Sequence, residues 1–257
     1  MDNANVEVRL LKKMQNSTIE EGKHRIVQIL DNLKFRQHVI IIFEQLSLNL
    51  YKYMKASKFS SQVFSQRQLM SIIYQTVQGL DYMKKNVIIH CDMKPENILF
   101  TDDSYQNIKI IDFGASCESC DKGFFYVQSR YYRAPEVVIG LQYSFEVDMW
   151  SLGCIIYELI TNQPLFPAND ENELIEFMYV TIGRVPERML KSAKKYKQFY
   201  KTTSSFFSTY NHEIIRSKDS CLGPELREAN QPLSNLLHNK TSPAMVDFIS
   251  KCLIIDP

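Results

Sequence analysis

The stretch His90-Cys91-Asp92-Met93-Lys94-Pro95-Glu96-Asn97 places a carboxylate, an amine and a carboxamide at short, fixed spacing in one loop. Further along the chain come Asp112-Phe113-Gly114 and then Ala134-Pro135-Glu136. Phosphoryl transfer needs an aligned hydroxyl nucleophile, a divalent metal to offset phosphate charge, and a cation on the transferring oxygens. Asp92 suits the first task, because an ionised carboxylate accepts a hydrogen bond from a hydroxyl. Lys94 is a point charge that can reach a terminal phosphate. Asn97 and Asp112 offer one neutral and one charged oxygen, hard ligands of the kind Mg²⁺ takes. Phe113 is an apolar anchor between the metal ligand and the turn. Taken singly, Asp-Phe-Gly is a turn and Lys-Pro-Glu-Asn a loop. In this order, flanked by apolar runs at 98–100 and 108–111 that read as strands, they specify far more.

Working outward, 257 residues suit one large domain or two lobes. A formal net charge of +1 gives no bulk pull toward nucleic acid or an anionic membrane, so neither is an expected partner. The most basic stretch, residues 191–197, carries four lysines and reads as a solvated helix face. The apolar run at 39–43 is far too short to span a bilayer, and the opening shows no charged-then-apolar leader. Six cysteines in a chain of this size do not make a disulfide scaffold. Cys117 and Cys120 form a lone C-x-x-C without a second pair, which argues against zinc. An intracellular, reducing setting is expected, cytoplasmic or nuclear.

Periodicity predicts a helix over 4–14, strands at 27–30 and 39–43 joined by the polar stretch 31–38, and a short helix over 48–55. A long helix is predicted over 67–85, with Leu69, Met70, Ile73, Val77, Leu80 and Met83 near helical spacing. From residue 144 the pattern is helical: a buried helix over 145–160 containing Trp150, and amphipathic helices over 169–182 and 242–253. Ser242-Pro243 supplies an N-cap and a first-turn proline to the last of these. Residues 184–240 read as an irregular insert. The expected class is α+β: a partial small β lobe with its hinge over 1–46 and a mostly helical large lobe over 47–257.

On these motifs the chain resembles a eukaryotic protein kinase of the CMGC group, and most closely the dual-specificity tyrosine-regulated kinases. His90-Cys91-Asp92 carries cysteine where most kinases have arginine, a mark of that family and its homeodomain-interacting relatives. Asp112-Phe113-Gly114-Ala115-Ser116-Cys117, the run from Tyr126 through Gln128-Ser129-Arg130-Tyr131-Tyr132-Arg133 to Glu136, and Asp148-Met149-Trp150-Ser151 all follow the family pattern. The resemblance implies a protein-kinase-like fold, ATP and Mg²⁺ as cofactors, and protein substrates phosphorylated on Ser or Thr, with tyrosine autophosphorylation. It makes Asp92 and Lys94 catalytic and Asn97 and Asp112 metal ligands. Phe43 takes the gatekeeper position, Glu44, Gln45 and Leu46 the hinge, Leu99 the floor under adenine, and Ile111 a pocket wall.

The same resemblance makes Glu7 the helix glutamate that holds an ATP-positioning lysine, and Asp148 a brace for the catalytic loop. Tyr126 becomes the autophosphorylated tyrosine, with Arg130 and Arg133 to pair its phosphate. Phe124 replaces an earlier family tyrosine, and Cys91 cannot read a phosphorylated loop as arginine would, so a single activation through Tyr126 is expected. Cys91 and Cys117 fall where the family brings two sulfurs near each other, and two thiols are expected rather than a redox link. A monomer is the expected state, although no residue fixes it. Against these matches, no lysine precedes Glu7, no G-x-G-x-x-G precedes Arg67, and Pro257 falls short of the arginine that pairs with the residue at Glu136. A domain cut at both ends is the expectation this raises. A catalytically impaired fragment or a scaffold is the alternative to an active kinase.

Overall fold

The computed structural model of the chain describes residues 3–57, 63–118, 126–204, 210–218, 220, 222 and 232–257. Cys120 and Phe124 lie outside them. The chain divides into two compact units, residues 1–123 and 124–257. Together they give the mixed helical and antiparallel architecture of the α+β class.

In the first unit, α1 (Asn3–Gln15) buries Leu10, Leu11 and Met14 on one face. Strands β1 (Ile29–Phe35) and β2 (His38–Phe43) pair antiparallel, with Leu33 opposite Ile40 and Phe35 opposite His38. The sequence reading ended the first strand at Leu30 and made 31–38 a connection. Instead the ladder runs through polar Asp31, Asn32 and Lys34 and closes on Arg36 and Gln37, both at positive φ (45° and 67°). That is the backbone of a two-residue hairpin turn, built here without the glycine or asparagine that announces one. Burial does not hold this ribbon: Leu33, Phe35, Ile40 and Ile42 are all exposed.

The long helix α3 (Gln66–Lys85) begins where Ser65 accepts a hydrogen bond from the Gln68 N–H at 3.2 Å. It buries Leu69, Ile72, Ile73, Leu80 and Met83, worth roughly 2 kcal/mol each. Gly79 lets it cross β5 (Ile108–Ile110) closely, since a Cβ there would stand 2.6 Å from the Ile110 side chain. Buried Gln75 fixes the crossing. Its oxygen accepts from the Ile108 N–H at 2.9 Å and its nitrogen donates to the Gln106 carbonyl at 2.9 Å. The unit is completed by α2 (Leu50–Ala56), β3 (Ile88–Ile89), β4 (Ile98–Phe100) and β6 (Cys117–Glu118).

In the second unit, α4 (Pro135–Ile139) precedes α5 (Glu146–Thr161), which is buried along almost its whole length. Trp150 of α5 stacks on Phe166 with centroids 6.0 Å apart. Helix α6 (Glu171–Thr181) is capped by Asp170, which accepts from the Glu173 N–H at 2.8 Å. The insert holds short helices α7 (Glu187–Ser192) and α8 (Tyr196–Phe199), strands β7 (Tyr200–Ser204) and β8 (Tyr210–Ile214), and α9 (Leu233–Leu236). The β7–β8 hairpin, with Tyr200 opposite Ile214, gives regular pairing to part of the stretch read as an irregular insert. Tyr200, Thr202 and Thr203 carry strand propensity. Of the four lysines at 191–197, Lys191, Lys194 and Lys197 are exposed as expected, whereas Lys195 is half-buried. Helix α10 (Pro243–Cys252) starts as read, with Ser242 accepting from the Met245 N–H at 3.3 Å.

Candidate active site

Two ladders bring the signature loops of the first unit together. Strand β3 leads through residues 90–97 into β4, and β5 leads through residues 111–116 into β6. Because β3 pairs with β6 and β4 with β5, the loop bearing Asp92 and the turn bearing Asp112 lie side by side. His90, fully buried, locks them. Its Nε2 lies 2.9 Å from the Ile111 carbonyl, and its Nδ1 is 3.2 Å from the Asp92 N–H. A carbonyl only accepts and an N–H only donates, so the ring is the neutral tautomer with its proton on Nε2. Phe113 packs edge-on against the imidazole with centroids 5.1 Å apart.

Cys91 and Asp112 both have φ of 65°, a left-handed backbone that costs an L-residue energy and persists only where the surroundings impose it. Here the ladders and His90 impose it. The Cys91 and Cys117 thiols are buried with their sulfurs 3.6 Å apart. Asp92 Oδ2 accepts from Lys94 Nζ at 2.6 Å, with both side chains about four-fifths buried (17% and 22% exposed). Asn97 donates its Nδ2 to the Asp92 carbonyl at 2.9 Å, so its Oδ1 is the atom it could offer to a metal. Ile111 N–H donates to the Asn97 carbonyl at 3.0 Å, so the two metal-ligand candidates share one backbone frame.

Glu7, on α1, reaches the same frame: its Oε1 accepts from the Phe113 N–H at 3.2 Å. Burial raises its pKa, the Phe113 N–H pulls it back, and the charge of Asp112 raises it further. A cleft of about 480 Å³ opens beside this cluster, lined by Glu7, Val27, Phe43, Glu44, Gln45, Leu46, Leu99, Ile111 and Asp112. Every residue that the resemblance assigns to the adenine pocket is among them. Val27 is an addition, visible in the sequence only as part of an apolar run. Glu44 is held by the Gln28 N–H at 2.6 Å and by Lys109 Nζ at 2.5 Å. The slot combines apolar Val27, Phe43, Leu99 and Ile111 with the carboxylates of Glu7, Glu44 and Asp112.

In the second unit, Tyr126 is 63% exposed and Arg133 is 2% exposed. The Arg133 guanidinium lies 4.1 Å from the Tyr126 ring centroid. It donates from Nε to the Val127 carbonyl at 3.0 Å, from NH2 to the Gln128 carbonyl at 2.8 Å, and from NH1 to Glu171 at 2.9 Å. Hydrogen bonding and charge from Arg133 lower the Tyr126 pKa. Arg130 NH1 donates to the Asn169 carbonyl at 2.5 Å, and its Nε is buried without a hydrogen-bond partner. Gln128 ties the segment to α5: its Nε2 donates to the Val147 carbonyl and Ser151 Oγ, each at 2.9 Å, and its Oε1 accepts from the Ala134 N–H at 3.0 Å. Glu136 is buried in α4, and Asp148 is buried in the first turn of α5. Sequence reasoning did not single out Gln75, Gln128 or Glu171, whose roles depend on partners distant along the chain.

The protein kinase domain family matches residues 2–257. The chain is 38% identical over 266 residues to dual specificity tyrosine-phosphorylation-regulated kinase mbk-2 of Caenorhabditis elegans, covering 99% of this chain and 32% of that protein. It is 42% identical over 193 residues to dual specificity tyrosine-phosphorylation-regulated kinase 3 of Homo sapiens, covering 75% and 32%. With dual specificity tyrosine-phosphorylation-regulated kinase 2 of Drosophila melanogaster the identity is 35% over 257 residues, covering 100% and 34%. The chain thus spans about a third of the length of the curated relatives it matches.

Proposed function

Because the chain belongs to the protein kinase family, on its dual-specificity tyrosine-regulated branch, we propose that it transfers the γ-phosphoryl group of ATP to Ser or Thr hydroxyls of protein substrates and to its own Tyr126. The observation that carries this reading is the pair of ladders that sets the Asp92 loop against the Asp112 turn.

Asp92 orients the attacking hydroxyl and takes up its proton as the new P–O bond forms and the bond to the leaving diphosphate breaks. Lys94, now on Asp92, would exchange that partner for a phosphate oxygen when the nucleotide is bound. Asn97 Oδ1 and the Asp112 carboxylate would hold Mg²⁺, with waters and phosphate oxygens completing the shell. When bound, the metal offsets phosphate charge. Phe43, Glu44, Gln45 and Leu46 bound the adenine end of the cleft and Leu99 underlies it. Residues 44–46 act as the hinge between a small lobe and a larger one. Arg130 and Arg133 pair the phosphate on Tyr126.

Residues 1–257 carry no lysine before Glu7 and no glycine-rich phosphate loop before Arg67. The four buried cysteines among the described residues stand as thiols, which supports an intracellular setting. Among the described residues, no helix is long and apolar enough to cross a membrane.

The test is incorporation of labelled phosphate from Mg-ATP into casein and into the chain itself, with Asp92→Asn as control. The parent should exceed the variant by about 10²–10⁴-fold. Equal rates for the two would sink the assignment of Asp92.

A further inference from the structure

Lys195 stands apart from the other lysines of its stretch. Its backbone N–H donates to the Ile139 carbonyl at 3.1 Å, at the end of α4, and its Cγ packs against Gly140. Its Nζ lies 5.7 Å from the Tyr126 ring centroid and 3.5 Å from Glu171. Glu171, only 14% exposed at its side chain, also pairs with Arg133. One largely buried carboxylate thus pairs with two cations beside the same tyrosine. The unpartnered Nε of Arg130 is a third donor held out of water, and its charge too is felt at the Tyr126 hydroxyl.

We propose that Lys195 is a third cation for a phosphate on Tyr126, and that Glu171 is the resident counter-ion which that phosphate displaces. The inference rests on the reading of Tyr126 as a phosphorylation site and extends it to a residue of the insert. A phosphotyrosine carries close to two negative charges near neutral pH, one more than Glu171 supplies. A four-carbon stem lets an ammonium swing between the two acceptors. The guanidinium of Arg133, fixed by the Val127 and Gln128 carbonyls, cannot move in that way. Phosphorylation would draw Lys195 off Glu171 and so tie the start of the insert to the segment that carries Tyr126.

The test uses the full chain with phosphotyrosine installed at position 126 by codon reassignment, so it does not depend on the chain's own activity. The second ionisation of the phosphate is followed by ³¹P NMR in the parent, Lys195→Met, Lys195→Arg and Glu171→Gln. Loss of Lys195 should raise that pKa by about half a unit or more. Arginine should restore it, and Glu171→Gln should lower it. An unchanged value in Lys195→Met would overturn the proposal. Separately, mass spectrometry of the unmodified chain after incubation with Mg-ATP reports whether Tyr126 acquires phosphate. Failure there would overturn the autophosphorylation reading while leaving the titration decisive for Lys195.

Discussion

Glu136 is the clearest case of a residue whose environment sets its charge. It is buried in α4, and desolvation pushes its carboxyl up to about 7, with smaller like-charge contributions from Glu146 and Asp256. Its ordinary value is 4.5, so between the two values the folded chain keeps a proton that the unfolded chain has released. Stability from this group is therefore full at low pH and falls as pH rises from about 4.5 through about 7. Glu136→Gln should stabilise the protein by up to about 3 kcal/mol at about pH 8 and leave it nearly unchanged at about pH 4. Urea denaturation of both proteins at the two pH values checks this, and an equal gain at both would refute it. The candidate site residues show the converse. Asp92, Lys94, Asn97 and Asp112 could be singled out from residue type and spacing, because phosphate chemistry admits few alternatives. The neutral tautomer of His90 could not be, because it depends on a carbonyl and an N–H that only the folded chain brings to its two nitrogens.

At the scale of elements, close approach is written into single residues. Gly153 on α5 faces the end of α10, where an added Cβ would sit 2.8 Å from Leu253 Cγ and 3.0 Å from Cys252 Cβ. Both neighbours are buried, so neither can move aside cheaply. Gly153→Ala gains about 1 kcal/mol of helix propensity and loses more to overpacking. A net loss of about 1–2 kcal/mol is expected, seen as a lower Tm; a raised Tm would show that the contact yields. The helices α1, α3, α5, α6 and α10 were legible because one apolar face at helical spacing is a strong signal. The β1–β2 pair was read as two strands but with the first ended too early, and β7–β8 was left inside the irregular insert, because strand pairing is satisfied across the chain and Arg36-Gln37 is not a usual turn pair. The two-residue strands β3 and β6 are too short for any periodicity.

For the whole molecule, the decisive measurement is whether the cleft takes nucleotide. A ligand that binds only the folded state stabilises it by about 1.4 kcal/mol at ten times its Kd, which is about 2–4 °C in Tm for a protein of this size. Mg-ATP should produce such a rise. Removing the metal with EDTA should shrink it, and so should Asp112→Asn, because on the proposed reading either change weakens the cation that offsets phosphate charge. A rise that survives both changes would remove the metal from the site. By itself the sequence determined the family and the helical elements and picked out the candidate site residues, since these rest on residue types at short spacing and on apolar periodicity. Only the tertiary structure decided how the Asp92 loop and the Asp112 turn are set together, which tautomer His90 adopts, and that Glu171 holds Arg133 and Lys195 beside Tyr126. Each of these depends on hydrogen bonds or charges between residues far apart in the chain, and no local pattern encodes such a partner.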